Sequence, residues 1–249
     1  MSLPIAVQLY SVREALEVDF ASTIRRLADI GYRGVEFAGI YGASPQSAAA
    51  LCRDLGLTIT SAHLPSLSED PHISAERAAA LGIDIVVCAW LPPERFSSLD
   101  GIRSVCDELN AAAAAFKALG LRFAYHNHDF EFFSVDGVGI PHEVMRRYLS
   151  ADVLFEIDSY WVKVGGADPA AVLHELNGRV PLLHLKDGPG VNTEPMLALG
   201  GGFMDIPQVV AASHADWLIV ELDRTATDML EALQESYNYL AEQGIANGR

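Results

Sequence analysis

The stretch Arg122-Phe-Ala-Tyr-His-Asn-His-Asp-Phe-Glu-Phe-Phe133 begins as an apolar strand and ends crowded with groups able to hold a metal or move a proton. Along a strand alternate side chains share a face, so His126 and His128 point with Ala124, while Tyr125 and Asn127 point the other way. A turn after them can bring Glu131 back toward the same face. Two imidazoles and a carboxylate at a strand end suit a divalent cation or acid–base chemistry. They also suit a polar loop of hydrogen-bonded histidines, so the elements around them must decide.

Those elements repeat one phrase: a helical pattern, a glycine, then an apolar strand. It recurs at Leu27–Phe37, Cys52–Thr60, Ala79–Val87 and Lys117–Ala124, with Gly31, Gly56, Gly82 and Gly120 at the junctions. Each glycine falls where a helix needs a left-handed residue just past its C-terminus. Strands are expected at 5–10, 34–37, 58–62, 83–89, 122–125, 153–157, 182–185 and 217–222. Helices are signalled by Asp19 before 20–30, by Ser44-Pro45 before 46–55 and by Asp168-Pro169 before 170–176, with further helices at 98–119 and 229–243. Eight strands alternating with helices in 249 residues predict a single (β/α)8 TIM barrel over residues 1–249. A doubly wound open sheet would place a glycine-rich phosphate turn after the first strand, and Tyr10-Ser-Val-Arg-Glu14 has no glycine. One long irregular stretch, 187–205, carries Gly200-Gly-Gly202 and reads as a lid or binding wall.

Composition narrows the function classes. Apolar residues make up 50% of the chain, which fits a globular domain with a large core. The three cysteines form no paired or zinc-type spacing, and no long uncharged apolar run or leader is evident, so a cytoplasmic protein without a membrane segment is expected. A net charge of −16 disfavours nucleic acid, whose binding draws on Lys and Arg. A small neutral or weakly charged substrate fits better; homo-oligomerisation stays open.

In a barrel the C-terminal ends of the strands meet at one mouth, so chemistry should show as polar residues ending apolar runs. It does: Glu36, His63, Glu156 with Asp158, then His184 with Lys186 and Asp187, then Glu221 with Asp223. Asp158, His184 and Glu221 come from three consecutive strands, and together they can hold one divalent ion (Mn2+, Mg2+, Co2+ or Zn2+). A fourth ligand should come from the fifth strand, where His126 and Glu131 are the candidates.

Gln8-Leu-Tyr-Ser-Val-Arg13, Gly34-Val-Glu-Phe37, Ser61-Ala-His63, Tyr125-His-Asn-His128 with Glu131, Ile157-Asp158, His184-Leu-Lys-Asp187, Leu199–Gly202 with Asp205-Ile206, and Val220-Glu-Leu-Asp223 together span nearly all of residues 5–243. In these the chain resembles the sugar-phosphate isomerase/epimerase superfamily with the xylose-isomerase-like barrel, which also contains ketose 3-epimerases, inosose dehydratase, hydroxypyruvate isomerase and endonuclease IV. The resemblance implies that Asp158, His184 and Glu221 are metal ligands and that Glu221 also serves as catalytic base. Epimerases place a Glu on the fifth strand where this chain has His126. Glu131 is therefore the expected fourth ligand, supplying the third carboxylate of the family's usual set, with Glu131 or His126 as the catalytic partner of Glu221. Tyr10, Glu36, His63, Trp90, His128 and Lys186 are expected to bind substrate. The implied activity is metal-dependent isomerisation or epimerisation of a small sugar or keto-sugar by proton abstraction beside a carbonyl, through an enediolate. The alternative is a lyase or dehydratase acting on a keto-sugar, inosose or 3-keto-glycoside. A nuclease like endonuclease IV and an inactive ligand-binding barrel rank below both.

Overall fold

The computed structural model describes residues 3–39, 41–64 and 67–247. Strands β1 (Leu3–Gln8), β2 (Gly34–Phe37), β3 (Thr58–His63), β4 (Ile85–Cys88), β5 (Arg122–His126), β6 (Val153–Asp158), β7 (Leu182–Leu185) and β8 (Trp217–Val220) pair in parallel in chain order. Because β1 pairs with both β2 and β8, the sheet closes into a barrel. A short β9 (Ala246–Asn247) adds to β1 at Leu3 and Pro4. This is the expected (β/α)8 TIM barrel. Its register slips once, between Val35 and Glu36, where β3 carries an extra residue against β2.

The helices are α1 (Arg13–Val18), α2 (Phe20–Ile30), α3 (Pro45–Asp54), α4 (Pro71–Leu81), α5 (Leu99–Ala118), α6 (Pro141–Tyr148), α7 (Ser159–Val164), α8 (Pro169–Leu176), α9 (Ile206–Ala211) and α10 (Met229–Glu242). The expected caps form: Asp19, Ser44 and Asp168 accept from Ser22, Ser47 and Ala170 N–H at 2.9, 3.1 and 3.1 Å. Gly31, Gly56, Gly82 and Gly120 all have positive φ, the backbone that stops each helix and turns it into the following strand. Among the described residues, no helix is long and apolar enough to cross a membrane.

Two boundaries differ from expectation in ways that bear on the site. The first strand ends at Gln8, not Tyr10, because the Gln8 side-chain oxygen accepts Tyr10 N–H at 3.1 Å and the chain enters a 3-10 turn at Leu9–Val12. Strand β6 runs straight into α7, since Asp158 caps it by accepting Trp161 N–H at 3.0 Å.

The core has two compartments. The larger lies between strands and helices. The smaller, formed by Ala6, Ile85, Val87, Ala124, Leu182 and Ile219 with Leu154 and Trp217 against it, fills the barrel interior. Two residues farther along each strand the same face comes round again. There Ala6 is followed by Gln8, Ala124 by His126, Leu154 by Glu156 and then Asp158, Leu182 by His184, and Ile219 by Glu221. The interior is thus an apolar plug surmounted by a polar tier at the C-terminal end of the barrel.

Candidate functional site

The upper part of that tier gathers His126, Asp158, His184 and Glu221, whose ligand-capable atoms all lie within 4.8 Å of one another. Asp158 is clamped from two sides. Asn127 accepts its N–H at 3.0 Å and donates to its carbonyl at 3.2 Å, while one carboxylate oxygen caps α7. His184 presents Nδ1 to Glu221 Oε2 at 2.8 Å, and its carbonyl accepts from Ser159 Oγ at 2.9 Å. Lys186 extends its Nζ among three carboxylates: Asp158 Oδ2 at 3.0 Å, Glu221 Oε2 at 2.9 Å and Asp223 Oδ1 at 2.8 Å.

Burial makes these charges interdependent. It raises Asp158 to about 6 despite the Lys186 ammonium beside it. Burial also pushes Glu221 upward, but Lys186 and His184 more than offset this and hold it well below the usual carboxylate range. His126 is driven down to about 4 by burial, so its ring is neutral at neutral pH. Two carboxylates and two imidazoles are a donor set that divalent ions accept. Asp158 Oδ2 is buried and faces the Lys186 ammonium at 3.0 Å without an aligned hydrogen bond, so it keeps a lone pair that an ion could use. The residues therefore fit a divalent ion, with the Lys186 ammonium drawing on the same two carboxylates.

Beneath them lies a second layer, of which the sequence marked Glu36, His63 and Glu156 as polar strand ends but not Gln8 or Ser61 as site residues. Glu36 takes hydrogen bonds from Gln8 Nε2 at 2.7 Å and Ser61 Oγ at 2.6 Å, and its Oε2 lies 2.7 Å from His184 Nε2. Glu156 Oε2 lies 2.6 Å from His63 Nε2 and 2.9 Å from His126 Nδ1. Burial and the Glu156 charge raise Glu36 to about 7. The signal available for Gln8 and Ser61 was strand alternation, since both are polar residues on inward positions of their strands.

Above the tier opens a cavity of about 560 Å3 lined by Tyr10, His63, Trp90, His126, His128, Lys186 and Glu221, together with Arg13, Ala38, Ala89, Asp223 and Arg224. Trp90 and Tyr10 stand at its rim, 54% and 41% exposed. Arg13 braces Tyr10 by donating to its carbonyl at 2.8 Å and lying 4.1 Å over its ring. Tyr10, His63, Trp90, His128 and Lys186 are thus brought to one cavity. Glu36, expected with them, is not: it is fully buried and does not line the cavity, its carboxylate consumed by Gln8, Ser61 and His184.

Glu131 also departs from expectation. Its carboxylate accepts from Tyr125 OH at 2.5 Å and from His128 N–H at 2.9 Å, and it joins neither group of metal-capable residues. Tyr125 occupies the face of β5 opposite to His126, so this partner draws Glu131 away from the mouth. His126 stands with Asp158, His184 and Glu221 where Glu131 was expected. The loop 187–205 does not line this cavity either; Asp187 pins it by accepting the N–H groups of Gly188, Gly200, Gly202 and Met204 at 2.9 to 3.1 Å.

No curated protein matches the chain. Solved structures do. A sugar phosphate isomerase/epimerase from Parabacteroides distasonis ATCC 8503 superposes with a TM-score of 0.83 at 26% identity, over 99% of this chain and 96% of its own. A second protein of that description from the same organism gives 0.85 at 23% identity, over 98% and 100%. The probable 3-DHS dehydratase AsbF from Bacillus anthracis, at 14% identity and a TM-score of 0.74 over 96% and 99%, shares the fold. The model of one family covers residues 24–243, from α2 to the end of α10, and by that match the chain belongs to the xylose isomerase-like TIM barrel family.

Proposed function

We propose that the protein is a divalent-metal-dependent isomerase or epimerase of a small sugar or keto-sugar, with Glu221 as the base and His126, Asp158, His184 and Glu221 as the groups that hold the ion. One observation carries this reading: those four side chains converge within 4.8 Å of one another, and two of them, His126 and Glu221, also line the cavity. A base that must act on substrate has to reach both. A bound divalent ion would polarise a substrate carbonyl and stabilise the negative charge that develops on its oxygen.

The chain's own residues do the rest. Glu221 is held ionised by Lys186 and His184, so it can take a proton from carbon beside the carbonyl. Lys186 places a positive charge at the cavity wall, where an oxyanion would form. His63 lines the cavity; burial lowers its affinity for a proton, but Glu156 and Glu36 prevail and raise it, so it can return a proton. That same imidazole supports a second reading, a lyase, in which His63 would protonate a departing oxygen. Trp90 and Tyr10 offer aromatic faces for the C–H side of a sugar ring.

The test is incubation of the Mn2+-loaded protein with ketoses and 3-keto-glycosides in deuterated water. The expected result is an epimer or isomer with deuterium at the carbon beside the carbonyl, and loss of turnover in Glu221→Gln with a smaller effect on substrate binding. An eliminated product would select the lyase reading. A turned-over substrate unaffected by Glu221→Gln would remove both.

A further inference from the structure

The two carboxylates beneath the site, Glu36 and Glu156, touch no cavity surface, yet both meet imidazoles that do the work above. Glu156 sits on β6, and its Oε2 lies within reach of three ring nitrogens carried by three other strands: His63 Nε2 on β3 at 2.6 Å, His126 Nδ1 on β5 at 2.9 Å and His184 Nε2 on β7 at 3.3 Å. Glu36 meets the same nitrogen of His184 at 2.7 Å. A neutral imidazole that donates through one nitrogen keeps its lone pair on the other. His184 donates from both nitrogens, Nε2 downward to Glu36 and Nδ1 across to the ionised Glu221 at 2.8 Å, so Nδ1 becomes free for an ion only by giving up its proton. Donation from His126 Nδ1 to Glu156 leaves Nε2 for the site.

Two buried atoms have no aligned partner here, His126 Nδ1 and Glu156 Oε1. They belong to neighbouring groups already 2.9 Å apart through Oε2, so a small reorientation would align His126 Nδ1–H with the carboxylate. A second ion bound among His63, His126, Glu156 and His184 is the competing explanation of these atoms. The separations of 2.6 and 2.9 Å favour hydrogen bonding, since charge-assisted bonds between nitrogen and carboxylate run about 2.7–2.9 Å.

We propose that Glu156 is a positioning residue, whose carboxylate fixes the rings of His63 and His126, and with Glu36 that of His184, so that their opposite nitrogens serve the site. The inference rests on the proposed function only where it invokes metal binding. Glutamine at this position keeps the volume but replaces one acceptor oxygen with a donor, so it cannot receive protons from several imidazoles.

The experiment compares the parent protein with Glu156→Gln by two readouts. In EDTA, long-range proton–nitrogen NMR of the histidine rings should show the Nδ1–H form of His126 in the parent and an altered pattern for His126 and His63 in the variant. His142, stacked on Phe132 and tilted against Phe155 away from the site, should be unmoved. Titration with Mn2+ should then show affinity weakened by about 10–100-fold, the usual cost of losing a carboxylate behind a histidine ligand. Unchanged histidine spectra, or unchanged Mn2+ affinity in a protein that binds it, would overturn the proposal. So would two equivalents of Mn2+ in the parent and one in the variant, which would make Glu156 a ligand. A parent that binds no Mn2+ would defeat the proposed function, while the NMR comparison still decides the role of Glu156. Should Glu156→Gln not fold, Glu156→Asp, which keeps the charge but shortens its reach, is expected to move the same resonances.

Discussion

At the scale of single residues, the exchange between His126 and Glu131 sets the character of the site. With His126 in place of a carboxylate, the four proposed ligands carry one negative charge fewer, and Lys186 brings a positive charge to the same oxygens. Two outcomes follow. His126→Gln should weaken Mn2+ binding by more than the roughly 10–100-fold that loss of a supporting partner costs, whereas Glu131→Gln should leave Mn2+ affinity unchanged in a calorimetric titration. The opposite ranking would return Glu131 to the ligand set. Lys186→Met should tighten Mn2+ binding, because a competing cation has gone. In EDTA it should also lower stability by about 3–5 kcal/mol, the usual penalty for breaking a buried ion pair, since Asp158, Glu221 and Asp223 lose their shared partner. Weaker Mn2+ binding by Lys186→Met would mean that the ammonium supports the ion instead of competing with it. Asp158, His184 and Glu221 were legible because strand alternation fixes which residues face the mouth. Glu131 was not, because it lies three residues past His128 in a turn, and only the position of Tyr125 decides where it goes.

At the scale of elements, the barrel was readable because four helix-to-strand junctions mark themselves with Gly31, Gly56, Gly82 and Gly120, and most strands run into a polar or charged residue. Helix α7 was not among the expected helices; what stops β6 is the Asp158 side chain turning back on Trp161 N–H. The loop 187–205, expected from its length to be a lid or binding wall, lines no part of the cavity above the tier. Its glycines instead bring backbone N–H groups close around the Asp187 carboxylate, and a β-carbon on Gly202 would collide with it. Asn192 ties the same loop to Asp129 at 2.7 Å. Asp187→Asn presents one acceptor where there were two, leaving two of the four N–H groups unsatisfied at about 1–3 kcal/mol each. Hydrogen exchange should then accelerate across 188–204 while β7 keeps its protection. Unaltered exchange in that loop would mean that the carboxylate does not organise it.

At the scale of the whole molecule, a chain of net charge −16 repels itself increasingly as pH rises through the carboxylate range. Glu131 adds a local contribution of the same sign. Burial raises it from 4.5 to about 7, offset only in part by the hydrogen bond from Tyr125. The unfolded chain releases this proton near pH 4.5 and the folded chain near pH 7. Protonated Glu131 therefore favours the fold at low pH, and that preference is lost progressively between those two values. A shift of this size corresponds to roughly 3 kcal/mol once both states are ionised. Glu131→Gln removes the local part and leaves the diffuse self-repulsion. Measured in EDTA by urea unfolding from pH 4.5 to 8, the parent should lose stability more steeply than the variant, with the difference confined below about pH 7. Glutamine also perturbs the bonds to Tyr125 and His128, so its stability will be offset at every pH; the slope isolates ionisation from that offset. Parallel curves across the range would show that Glu131 ionises in the folded protein as readily as in the unfolded chain, and that its place behind β5 is less sealed from water than the packing around Tyr125 requires.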